Sequence, residues 1–225
     1  MRATRFATAT IVLALALATA APGGAAGTSG GVLPPQARPL GYSLADMVRA
    51  TALFTNSGND PANYPDTPFQ VLYGDPSTVA VGEADGCLLV TGTNGFTTDV
   101  RTFSFAPIFN SSDVPPVDGV FPTTPAEAEA YIFGPDQFGG QFEIVVDGTT
   151  TLVGPTFLVG PVAAPLESLG GSKIVTLGVF LRPFRPGTHT VVVGGTFTGT
   201  LAQEVFGAEC VSFTFTYTVH VVPSL

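Results

Sequence analysis

The chain has 225 residues, 17 acidic against 8 basic, and a formal net charge of −9 with histidine neutral. A phosphate backbone demands a basic patch, and Lys173 is the only lysine, so the composition argues against nucleic acid as a partner and against an anionic membrane surface. With 2 cysteines and no Cys-x-x-Cys or Cys/His ligand spacing, zinc-binding and thioredoxin-like readings fail as well.

In chain order, Arg2 and Arg5 precede an apolar run over 11–17 and the small residues Ala18, Thr19 and Ala20, the pattern of a secretory signal peptide over 1–20. The run is shorter than the roughly 18 apolar residues a membrane span requires. No later stretch qualifies, so the mature chain is expected to carry no transmembrane segment and to be secreted, extracellular or held in the cell envelope. Loss of Arg2 and Arg5 with the leader leaves six basic residues against 17 acidic and moves the net charge from −9 to −11.

Residues 21–40 are rich in Gly, Ala and Pro and are expected to form a flexible linker. Gly27, Ser29 and Gly31 match G-x-S-x-G by accident, because the nucleophile elbow needs a strand before it and a helix after it. The spacing of Leu44, Met47, Val48, Thr51 and Phe54 predicts a short helix, with Ser43 as its N-cap and Asp46 three residues on. A second helix is predicted where Thr124 caps, Pro125 takes the first helical position and Glu127 completes a capping box.

The rest reads as strand. Segments 69–73, 77–81, 87–92, 100–109, 141–146, 150–154, 172–181, 188–201 and 209–222 are rich in β-branched and aromatic residues and are separated by Gly, Pro and Asp. Asp147-Gly148 between two alternating segments predicts a type I′ hairpin. The fold expected is mainly β, an antiparallel β-sandwich of jelly-roll or immunoglobulin-like type with two short helices, forming a single domain over 41–225.

In the final segment, Val211, Phe213, Phe215, Tyr217, Val219 and Val221 alternate with Cys210, Ser212, Thr214, Thr216, Thr218 and His220. The apolar set is expected to face the core, and the polar set to be solvated or covered by a helix. Thr-x-Thr patches of this kind resemble an ice-binding array only superficially, since no regular repeat extends them. Cys87 and Cys210 are expected to form a disulfide, as two cysteines exported to an oxidising compartment usually do. The position of Cys210 near the strand start predicts that this bridge fastens a sheet edge or outer layer.

Candidate chemistry is sparse. Any histidine mechanism must use His189 or His220, and neither is accompanied by a nucleophile motif. Asp60, Asp66 and Asp75 lie in loops of the kind that supply oxygen ligands to calcium, although no D-x-D-x-D-G spacing is present. A glycosidase pair would require two carboxyls facing one another across a cleft, and the sequence gives no register for that. Tyr64, between Asn63 and Pro65, is the candidate exposed aromatic for binding, the chain having no tryptophan to stack on a sugar. Asn110-Ser111-Ser112 forms an N-glycosylation sequon.

The helix after the leader, the apolar "FSFAPIFNSS" strand, the "VVDG" hairpin and "RPGTHTVVVGG" ahead of a terminal alternating strand resemble a group of exported bacterial β-proteins. The resemblance implies an exported β fold and transfers no activity and no site residue; the helix of that group is tryptophan-rich, which this one is not. The expected function is non-enzymatic binding of an extracellular protein or polymer through the loops, with no cofactor. The alternative is a secreted hydrolase using carboxylates, with calcium.

Overall fold

The computed structural model describes residues 31–223. The expected signal peptide over 1–20 and the first half of the expected linker lie outside the described residues. Ten strands and three α-helices follow: α1 (Leu44–Asn56), β1 (Phe69–Val71), β2 (Ala80–Ala84), β3 (Cys87–Asp99), β4 (Phe103–Ser112), α2 (Pro125–Phe133), β5 (Gly140–Val146), β6 (Thr149–Leu152), β7 (Leu158–Ala163), β8 (Lys173–Leu181), β9 (Gly187–Phe197), α3 (Thr200–Phe206) and β10 (Cys210–Val222).

The strands form two sheets, a four-stranded one in the order β1-β4-β8-β7 and a six-stranded one in the order β2-β3-β10-β9-β5-β6. Both are mixed, which corrects the antiparallel expectation. β1 runs parallel to β4, and β10 runs parallel to β3 along its whole length, with Cys210 opposite Cys87 and Val222 opposite Asp99. The remaining pairs are antiparallel. The two strands of each parallel pair are far apart in sequence, so alternation within each strand could not reveal their relative direction.

One apolar cluster joins the two sheets: Ala106, Ile108, Leu177 and Val179 from one side meet Ile144, Val193, Phe213 and Tyr217 from the other. Val211, Phe213, Tyr217, Val219 and Val221 are buried as the alternation predicted, Phe215 is half-buried, and Thr214 and His220 are exposed on the opposite face. A second cluster lies on the other side of the four-stranded sheet, where Leu44, Met47, Val48 and Phe54 of α1 pack over Phe69, Phe105 and Phe180. The predicted capping box of Thr124 with Glu127 is formed, and the predicted N-cap Ser43 forms one as well, with Asp46. Asp147 and Gly148 both have positive φ and close the β5–β6 hairpin, as a type I′ turn requires.

Three differences from the expected fold have local causes. β7, which is absent from the expected strands, contains Gly160 and Pro161; it is an edge strand whose register shifts between Val159 and Val162, a setting that tolerates a strand proline. α3 makes the helices three rather than two; its N-cap is Gly199, with no side-chain cap to announce it. Within the stretch expected as a linker, Val32 bridges Leu181 and the Leu33 N–H donates to the Phe180 carbonyl at 2.8 Å. Val32 and Leu33 pack against the two clusters, so 31–40 includes docked chain and not only tether. No helix among the described residues is long and apolar enough to cross a membrane.

Candidate functional site

The Cys87–Cys210 disulfide joins facing residues at the starts of β3 and β10, with Cα atoms 4.5 Å apart. It lies inside the six-stranded sheet, because β2 pairs with β3 on the far side, and so does not fasten an edge as expected. It ties down the strand that carries Phe215 and Tyr217.

The loops holding the predicted residues are built by local polar chemistry. Asp60 accepts from the Ala62 N–H at 2.9 Å and caps a 3-10 turn. Asp75 does the same one loop later, accepting from the Ser77 N–H at 2.8 Å and the Ser77 hydroxyl at 2.7 Å, and these bonds hold its carboxyl below the usual range. Asp66 is exposed. Among the described residues no three His, Cys, Asp or Glu side chains come together as a metal site would require.

Tyr64 anchors its loop. Its hydroxyl accepts from the Val71 N–H at 3.1 Å and from Gln70 Nε2 at 3.2 Å, and its ring meets Phe54 edge-on at 5.2 Å. Burial, the largest influence, pushes the phenol pKa up. The side chain retains 39% exposure. From Tyr64 a series of rings runs inward: Tyr73 at 6.2 Å, then Phe96 at 5.5 Å from Tyr73, then Tyr217 at 6.0 Å from Phe96.

Beside that series, at the end of the molecule where α1 gives way to the 57–76 loops, lies a cavity of about 330 Å³. Tyr73, Phe215, Tyr217 and Ile108 are among its apolar residues, and Asn59 and Asn110 among its polar ones. No Asp, Glu, Lys, Arg or His borders it. Asn59 adopts a positive φ of 62° and its amide donates to the Gly74 carbonyl at 3.2 Å, stitching the two loops together at the cavity rim. Phe215 lies across the backbone of its register partner Gly92 and of Gly74, where an added Cβ would come within 2.7 and 2.6 Å of the ring. Both glycines are therefore needed for the ring to reach its place.

The tyrosine hydroxyls differ in their partners. That of Tyr131 donates to the Asp118 carbonyl at 2.8 Å, and that of Tyr64 is bonded as described. Tyr217 is only 3% exposed, desolvation alone drives its pKa up, and its hydroxyl has no hydrogen-bond partner among the described residues. The Tyr73 hydroxyl likewise bonds to no described residue, while Asn110, opposite Thr176, lies on the face of β4 turned toward α1. The sequence reading passed over Tyr217 as a residue of the apolar face. Its signal was there: a polar tip set in the middle of an otherwise apolar strand face.

The histidines lie elsewhere. His189 Nδ1 is 2.6 Å from Asp147 Oδ2 and Nε2 is 2.9 Å from the Arg185 carbonyl, with Phe184 packed against the ring at 4.8 Å. Both ring nitrogens are engaged in fastening the β5–β6 turn to the chain ahead of β9. His220 Nδ1 meets the Thr188 hydroxyl at 3.0 Å on an exposed face. Another cavity, of about 350 Å³, lies beside α2. Its one carboxylate, Glu127, is bonded to Thr123 and Thr124 as a helix cap. Comparison with protein-family models, with curated proteins and with solved structures finds no match for this chain.

Proposed function

We propose that the chain is an exported, non-enzymatic β-sandwich protein, a single domain over 41–225, that binds an extracellular partner or polymer through the loops at the Tyr64 end. The sandwich reading is supported by the apolar cluster shared between the two sheets. Export agrees with the Cys87–Cys210 disulfide, which an oxidising compartment preserves. The observation that carries the binding assignment is the uncharged cavity beside the 57–76 loops, lined by aromatic rings and amides. The engagement of both His189 nitrogens and the use of Asp60 and Asp75 as turn caps leave those residues fewer free groups for hydrolysis.

The test is co-sedimentation of the mature protein with insoluble extracellular polysaccharides: cellulose, chitin and peptidoglycan. Binding to at least one, weakened several-fold in Asn59→Gly and Tyr64→Ala, supports the assignment. Binding unchanged in both variants removes these loops from it, and release of soluble reducing ends would favour the hydrolase.

A further inference from the structure

The lining of the cavity constrains what fills it. An ion would be desolvated there without a counter-charge, which is strongly unfavourable. A wholly apolar ligand would seal the Tyr217 hydroxyl away from water with no partner, which is also unfavourable. Phenol hydroxyls both donate and accept, so they match a ligand whose own polar groups do the same. Phe215 offers an apolar ring, and about 330 Å³ sits near the lower limit of the roughly 300–1,000 Å³ typical of ligand pockets, room for one ring and not for a chain.

We infer that this cavity is a subsite for a single neutral pyranose ring, its C–H face against Phe215 and its hydroxyls bonded to Tyr73 and Tyr217. The inference rests on the binding assignment above and specifies its ligand as one sugar unit of an uncharged polysaccharide. The 57–76 loops, stitched by the Asn59 bond to Gly74, then form the rim over which the rest of the polymer leaves.

Saturation-transfer NMR on the mature protein tests this directly, with the methyl glycosides of glucose, galactose, mannose and N-acetylglucosamine as probes, glucuronate as the charged control and toluene as the apolar one. At least one neutral glycoside should receive saturation, and its affinity should fall about tenfold in Tyr217→Phe and in Tyr73→Phe, the effect of one lost hydrogen bond. Glucuronate and toluene should receive none. Each variant keeps its ring, and an unchanged or raised melting temperature separates lost binding from lost fold. Absence of transfer to every neutral glycoside, undiminished transfer in Tyr217→Phe, or preference for toluene or glucuronate overturns the sugar assignment. Co-sedimentation with a polymer but no glycoside binding would sink the pyranose subsite and leave the loop assignment standing. Glycoside binding without co-sedimentation would keep the subsite, with a free sugar as its source, and sink the polymer.

Discussion

Thr176 illustrates what one hydroxyl does in a sealed place. It is 2% exposed beneath α1, on the strand opposite Asn110, and its Oγ1 has no hydrogen-bond partner among the described residues. Valine has nearly the same shape without the desolvated oxygen, so Thr176→Val should raise stability by about 1 kcal/mol. In a domain of this size that is a rise of about 2–4 °C in melting temperature, readable by calorimetry. Gly92→Ala should act in the opposite direction. Its Cβ would come within 2.7 Å of Phe215 and 3.6 Å of Val79, forcing the ring aside and lowering stability by about 1–3 kcal/mol in a denaturant titration. Such positions were only partly legible in the sequence. Alternation along β10 placed Phe215 and Tyr217 inward because side-chain direction is local, but the close approach of Phe215 to Gly74 and Gly92 depends on segments more than a hundred residues away in sequence, and no single-strand pattern encodes it.

At the scale of elements, the features that were readable are those whose bonds close within four residues. The Thr124 hydroxyl accepts from the Glu127 N–H at 3.2 Å while the Glu127 carboxylate accepts from the Thr124 N–H at 3.1 Å, and Thr124→Ala should destabilise the protein by about 1 kcal/mol, shifting a urea midpoint without changing its slope. Longer ties were not readable. Burial works against the charged form of Asp113, but donation from the Ser172 N–H at 2.6 Å, the Lys173 N–H at 2.8 Å and the Ser172 hydroxyl at 2.9 Å outweighs it and holds the carboxyl below the usual range. Bonds from Ser43 lower Asp46 and bonds from Thr123 and Thr124 lower Glu127 in the same sense. Carboxyls depressed in the folded state bind fewer protons than in the unfolded chain, so their contribution is complete above the ordinary values of 3.8 for Asp and 4.5 for Glu and is lost as pH falls through the lowered ones. Melting temperature measured from pH 7 to pH 2 should therefore hold steady from these groups down to the ordinary range and drop below it, more gently in Asp113→Asn. Element order was legible where turns carry Asp-Gly, and illegible at β7 and α3, where a Gly-Pro pair and an N-cap glycine give no start signal.

Across the whole molecule the decisive contact is the parallel pairing of β3 with β10. The disulfide at its start closes a separation of 123 residues, and in the chain-entropy account such a closure stabilises by up to about 4–5 kcal/mol. Unfolding in urea with and without reductant should show a lowered midpoint in the reduced protein by up to that amount, with the same sheet signal in circular dichroism at zero denaturant if packing alone still carries the fold. The same pairing also fixes an order of events. β10 lies between β3 and β9 in the six-stranded sheet, so a chain that stops short of Cys210 leaves both flanking strands with an open inner edge and Cys87 without its partner. Unpaired edges of that length template the addition of other chains, and an interrupted translation product of this protein is thus a nucleus for aggregation rather than a smaller version of the fold.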